Sequence, residues 1–201
     1  MTNFLPVNLR INDRRVLVVG GGSVAHRKCE VFAELGIPLR VIAEVFSEQL
    51  PWETINNVER ITASYAPEHL EGIFLVVAAT DNQRVNARIV EDAHKHGLLC
   101  QSVDNPDASD FHLSALLRRD DLTIAFSTNG KSPALARVLR DRAEPHYDES
   151  LGKLLEQIAQ LRHSDQWKRL TLPQRREYLQ QVLDDPQLFQ KLANSRDLKD
   201  V

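Results

Sequence analysis

Residues 15–25 read Arg15-Val16-Leu17-Val18-Val19-Gly20-Gly21-Gly22-Ser23-Val24-Ala25, a β-branched apolar run that ends in three glycines and a stretch of small residues. The run has the content of a buried strand, and the glycines end it. Each position after the strand has its own reason. Gly20 allows a tight turn out of the strand. Gly22 carries no side chain to block a diphosphate. Ala25 is small enough to let the following helix lie close on a sheet. The start of that helix offers free N–H groups and a positive dipole end to phosphate. Gly20, Gly21 and Gly22 are therefore candidate dinucleotide-binding residues in the pattern G-x-G-x-x-A, set between a strand and a helix as that use requires. A merely structural tight turn is the alternative.

Outward from this loop the pattern repeats. Ala25 to Leu35 has helical character and is closed by Gly36, and Leu39 to Ile42 makes a second strand. Val58 to Ser64 is a candidate third strand. Gly72 to Ala79 is a near-continuous apolar run of the kind buried on both faces. Asn82 to His96 follows as a helix closed by Gly97, and Leu98 to Val103 as another strand. Strands alternating with helices predict a parallel sheet with helices on both sides. Glu44 stands just past the second strand, where an acidic residue accepts the adenosine ribose hydroxyls. A solvated loop carboxylate is the other use of Glu44. No arginine sits beside it to hold a 2′-phosphate, which favours NAD over NADP. Small residues at Ala78-Ala79-Thr80 permit close approach of a cofactor, and Asp81 is expected to cap the next helix.

Beyond residue 112 the character changes. Leu122 to Ser127 is a strand, Thr128-Asn129-Gly130-Lys131-Ser132-Pro133 a loop, and Ala134 to Arg142 a helix with Pro133 in its first turn. From residue 151 the chain is helical. Leu151, Leu154, Leu155, Ile158 and Leu161 share one face. Leu170, Pro173, Tyr178, Leu179, Val182 and Leu183 mark a second helix, and 186–192 a last short one.

The 201 residues carry 25 Lys and Arg against 28 Asp and Glu, a net charge of -3. No basic excess points to nucleic acid, and no apolar run is long enough to span a bilayer. The first residues lack the basic start and apolar core of a secretory signal. Cys29 and Cys100 are expected to be reduced packing residues in a cytoplasmic protein. The seven histidines are scattered and no Cys–His spacing fits zinc, so no metal site is expected.

Three further runs join the glycine loop: Val77-Ala78-Ala79-Thr80-Asp81-Asn82 with Val85-Asn86, Val103-Asp104, and Ser127-Thr128-Asn129-Gly130-Lys131-Ser132-Pro133-Ala134-Leu135-Ala136-Arg137. Together with Val18 to Lys28 they resemble the precorrin-2 dehydrogenase family, the N-terminal module of siroheme synthase, over nearly the whole chain. The resemblance implies a Rossmann domain at 1–112, a small α+β dimerisation region at 113–150 and a helical C-terminal domain at 151–201. It implies a homodimer that oxidises precorrin-2 to sirohydrochlorin with NAD, without the methyltransferase domain some relatives carry. It places Ser23, Val24, Glu44, Val45, Ala79 and Thr80 at the dinucleotide. Asp104 falls at the family's catalytic aspartate, and its position after a strand at the ligand-binding edge favours the same role; a turn residue in Asp104-Asn105-Pro106-Asp107 is compatible with it.

Some positions depart from the family. Where relatives read S-F-I-x-P-A, this chain has Asp110-Phe111-His112-Leu113-Ser114-Ala115. His112 is thus a candidate acid–base group or iron ligand, against a structural histidine. Thr128 and Asn129 replace a serine and a glycine. The resemblance implies a polycarboxylate substrate, and Arg118, Arg119, Lys131, Arg137 and Arg140 are the cations available to hold it; Thr128, Lys131 and Arg137 are the candidates on the loop and its helix. Ferrous iron is a possible second substrate. The alternatives are a bifunctional enzyme that also inserts that iron, and a non-catalytic NAD- or tetrapyrrole-binding protein.

Overall fold

A computed structural model describes residues 4–194, which fall into two compact units, one ending at Leu113 and the other beginning at Ser114. The outermost residues of the first and last expected regions, 1–3 and 195–201, lie outside the described residues.

The first unit is a five-stranded parallel sheet in the order β3-β2-β1-β4-β5. Its strands are β1 (Arg15–Val19), β2 (Leu39–Ala43), β3 (Val58–Thr62), β4 (Ile73–Ala78) and β5 (Leu99–Ser102). Alternation along β1 shows how the sheet is covered. Val16 and Val18 face a cluster with Ala25, Cys29 and Phe32 of helix α1 (Ser23–Glu34). Leu17 and Val19 face the opposite cluster with Ile89, Val90 and Ala93 of helix α2 (Gln83–Lys95). Both faces are dry, which is why β1 and β4 read as unbroken apolar runs. The chain winds from β1 out to β3 and then returns to place β4 on the other side of β1. That reversal leaves a crevice at the carboxyl ends of β1 and β4.

No α-helix joins β2 to β3. Residues 44–57 form a loop with a short 3-10 turn at Trp52–Thr54, and Trp52 is buried edge-on against the rings of Phe46 and His26. The capping expectation at Asp81 is corrected: α2 begins at Gln83, so the cap falls on Asn82, whose side chain accepts from the N–H groups of Arg84 and Val85. Asp81 lies one residue too early to reach them.

The second unit pairs β6 (Ala115–Arg119) with β7 (Leu122–Phe126) in an antiparallel hairpin, Arg119 opposite Leu122. Helix α3 (Pro133–Ala143) begins at the Ser132 cap, with Pro133 in its first turn. Helices α4 (Ser150–Leu161), α5 (Asp165–Arg169), α6 (Leu172–Asp184) and α7 (Pro186–Asn194) follow. Leu154, Val182, Leu192 and Ala193 form their core, with Leu151, Ile158 and Tyr178 packed against it. In α6 Val182 takes the inward position and its neighbour Leu183 is exposed. Among the described residues no helix is long and apolar enough to cross a membrane.

Candidate functional site

The carboxyl edge of the sheet is pinned before any ligand arrives. The Gly20 N–H donates to Ile42 O at 2.8 Å, and the Ala79 N–H to Val19 O at 2.8 Å. The Val103 N–H donates to Ala78 O at 3.0 Å, and the Ser47 N–H to Gly21 O at 2.9 Å. These bonds hold the loops after β1, β2, β4 and β5 in one frame. Between the first three loops lies a cleft of about 640 Å³, well within the range of small-molecule sites.

The structure gathers the glycine loop, Ser23 and Val24, Glu44 and Val45, and Ala79 and Thr80 around this one cleft. A β-carbon on Gly22 would meet nothing within 4 Å, whereas one on Gly20 or Gly21 would strike the backbone of Ala79 or Val45. Gly22 thus faces the void, and its neighbours are packed. Helix α1 has no side-chain cap and no acidic residue in its first turn, so the N–H groups of that turn remain available to an anion. Helix α2 differs, its start being closed by Asn82.

At the β2 end, Glu44 is exposed, and its Oε1 accepts a hydrogen bond from Ser64 Oγ at 2.7 Å. Tyr65 stands beyond it in the cleft wall, its ring half-buried and its hydroxyl 3.4 Å from Asp92 Oδ2. Burial and the Asp92 carboxylate push that hydroxyl well above the ordinary tyrosine range. At the β4 end, Thr80 is held by the buried Asn86. Ser64, Tyr65 and Asn86 were not assigned roles from sequence. Their signal is tertiary, except that Asn86 sits inside the run that carries the family resemblance.

Asp104 follows Val103, which lines the cleft, but stands outside the lining itself. Its Oδ1 accepts from Ser102 Oγ at 2.6 Å. Partial burial works against its charge, but hydrogen bonds from Ser102, from Asn86 and from its own backbone prevail and hold the carboxyl below the usual carboxylate range. His112 also stands outside the cleft lining. Its ring lies 4.7 Å from that of Phe4, and Nδ1 is 3.4 Å from Gln101 Nε2. Burial first, and then the charge of Lys28, lower its pKa, which keeps the imidazole neutral near pH 7. Among the described residues no three His, Cys, Asp or Glu side chains form a group that could hold a metal ion.

In the second unit the loop after β7 is closed on itself. The Lys131 N–H donates to Thr128 O, and the Ser132 N–H to Thr128 Oγ1, each at 3.0 Å. Asn129 adopts φ +51°, the left-handed conformation its side chain tolerates. Lys131 and Arg137 are exposed. Arg119 is committed to Tyr147 O, Glu144 and Glu149, and Arg140 pairs with Asp141.

Comparison with known proteins gives a consistent set of relatives. The family model described as "Putative NAD(P)-binding" matches residues 7–115, and the model described as "Sirohaem biosynthesis protein central" matches 119–144. Siroheme synthase 1 of Aeromonas salmonicida is 33% identical over 192 residues, covering 95% of this chain and 41% of its own. The siroheme synthase of Escherichia coli is 33% identical over 192 residues, covering 95% of this chain and 42% of its own. The chain thus spans about two fifths of the length of these relatives. The solved structure of SirC, precorrin-2 dehydrogenase, superposes with a TM-score of 0.62 at 27% identity, over 90% of this chain and 100% of that one. Because the first model spans more than half of its residues and the second follows in order, the chain belongs to the NAD(P)-binding family found in sirohaem biosynthesis proteins.

Proposed function

We propose that the chain is an NAD-dependent dehydrogenase that oxidises precorrin-2 to sirohydrochlorin in siroheme synthesis. One observation carries the reading: an uncapped helix start behind the bare backbone of Gly22, on the same sheet edge as Glu44 and Asp104. The residues present fit a dinucleotide. Backbone N–H groups at Ser23 and Val24 receive the diphosphate at the positive end of α1. Glu44, with Ser64 on one carboxylate oxygen, keeps the other for the ribose hydroxyls, and its charge repels a 2′-phosphate. NAD supplies the hydride acceptor. Precorrin-2 loses one hydride and one proton, so the products are sirohydrochlorin, NADH and H⁺. Asp104 accepts that proton, being held charged by its hydrogen bonds. His112, neutral near pH 7, is the second candidate proton carrier.

Thr128, Lys131 and Arg137 are the proposed contacts for the substrate carboxylates; the exposure of the two cations supports this. Residues 113–150 are proposed as the dimerisation region between the 1–112 dinucleotide domain and the 151–201 helical domain. We place the protein in the cytoplasm. Both cysteines are buried free thiols, pushed up to about 12 by burial, which suits a reducing compartment.

Anaerobic spectra of the full chain with precorrin-2 and NAD test the reading. NADH and sirohydrochlorin are expected to appear together. Persistence of precorrin-2 while NAD is bound would leave a binding protein without redox activity. Ferrous iron added next, and in a parallel sample with sirohydrochlorin but no NAD, decides whether the chain also inserts metal.

A further inference from the structure

β5 is an edge strand of the first unit, so every second residue turns its backbone N–H and C=O away from β4. At Cys100 and Ser102 the returning chain takes those groups. The Cys100 N–H donates to Asp110 Oδ2 at 2.8 Å, and the Asp110 N–H to Cys100 O at 2.9 Å. The Ser102 N–H donates to Ser109 Oγ at 3.0 Å. The Ser109 hydroxyl shares its hydrogen between Ser102 O at 3.1 Å and Asn105 O at 3.2 Å. Ser102 and Ser109 are 4% and 9% exposed, which shields these bonds from water. The turn that carries Asp104 is thus fastened where it leaves β5 and where it returns. With its backbone fixed, Ser102 has one hydroxyl hydrogen left to give. It goes to Asp104 Oδ1 at 2.6 Å.

We propose that Ser102 is a positioning residue of the reaction: its buried hydroxyl holds Asp104 Oδ1 and leaves Oδ2 to receive the substrate proton. This rests on the dehydrogenase reading, which gives Asp104 its task. A hydrogen bond to an ionised carboxylate is short and directional, so it fixes the side chain as well as its charge. The Ser102 hydroxyl has no second partner among the described residues, and the strand itself does not need it. The ionisable groups on the elements around Asp104 are engaged elsewhere. His94 of α2 lies 2.8 Å from Asp110, and Arg88 and Lys95 pair with Asp92. Asp107 stands three residues on in the same turn. Removing the Ser102 donor therefore weakens the charged form of Asp104 without breaking an ion pair.

The test is steady-state NADH formation from precorrin-2 by the full chain across pH, with NAD affinity measured separately by fluorescence titration. In Ser102→Ala kcat falls about tenfold, while KM and the NAD dissociation constant stay near the wild-type values. The acid limb of kcat/KM moves to higher pH, because the bond that favoured the charged carboxyl is gone. Ser102→Thr, which keeps a hydroxyl on a residue suited to a strand, restores both rate and limb. In the ligand-free wild type the Ser102 β-carbon resonance follows the Asp104 carboxyl titration with the same midpoint, a measurement that needs no variant. Unchanged kcat and acid limb in Ser102→Ala, or a Ser102 resonance blind to Asp104, overturns the proposal. A lowered melting temperature with the acid limb unmoved also overturns it, leaving Ser102 a packing residue. A wild type that binds NAD and forms no NADH overturns the dehydrogenase reading and this role with it. The two failures are distinguishable, since failure of the role alone leaves the wild type active.

Discussion

A methyl group on Gly21 would lie 2.9 Å from the β-carbon of Ala43 and collide with the carbonyl of Val45, while Gly20 combines φ +138° with a wall formed by Ala79. Gly22 has neither constraint; its backbone is extended, at φ -95° and ψ -175°, and serves as the α1 cap without a capping side chain. Gly22→Asp consequently separates stability from function. The new carboxylate caps α1, so the melting temperature holds or rises by the equivalent of a few tenths of a kcal/mol. The same carboxylate repels the diphosphate, and NAD affinity falls on the order of a hundredfold. Gly21→Ala does the reverse and lowers the melting temperature first. Calorimetry and fluorescence titration on the two variants check both signs. Asp104 belongs to this scale too. Asp104→Ala is expected to abolish turnover and leave the NAD dissociation constant nearly unchanged; full turnover would remove it from the mechanism. Its folded pKa lies below the unfolded one, so its contribution to stability is present above the unfolded value and is lost as pH falls through the folded value. The acid limb of wild-type turnover is expected to lie at or below the ordinary aspartate range, read from kcat/KM against pH.

Elements whose logic is local were legible in the sequence. β1, the glycine loop and α1 could be read because strand content, turn and helix start lie within twenty residues of one another. The bond from Ser64 to Glu44 could not, since only the folded sheet sets the ends of β2 and β3 side by side. β6 was missed for another reason. Leu116-Leu117-Arg118-Arg119 has no clean alternation, and its identity as a strand comes from pairing with β7 across the turn at Asp120, where φ is +50°. Gly152 in α4 shows the same dependence on tertiary context. Alanine there would normally favour the helix by about 1 kcal/mol. Here its β-carbon would sit 2.8 Å from Arg119 O and against the Asp120 carboxylate, so α4 would have to move away from the hairpin. Gly152→Ala is expected to destabilise the chain by about 1–3 kcal/mol in urea unfolding. A stabilised variant would show that the hairpin turn yields freely.

At the scale of the whole molecule, the second unit leaves apolar surface unaccounted for. Its sheet has only two strands, a size that is marginal without further packing. Ala136 of α3 is buried, but Leu135, Val138 and Leu139 are 49%, 47% and 42% exposed and stand three and four residues apart on one face. Three large aliphatic side chains on one helix face, in the region proposed for dimerisation, fit a second copy of the same chain, because a two-fold axis lets one apolar patch cover itself. Leu139→Glu places a charge on that patch, and self-association through this face would have to bury it. Sedimentation equilibrium is expected to give a dimer for the wild type and a monomer for the variant. NAD affinity should be retained in the variant, since every proposed contact for the dinucleotide lies in the first unit. Turnover is the more informative readout. If Thr128 and Lys131 of the loop and Arg137 of α3 serve the substrate only in the dimer, the monomer binds NAD and oxidises nothing. A monomeric wild type, or a dimer that survives Leu139→Glu, would assign this face to something other than self-association.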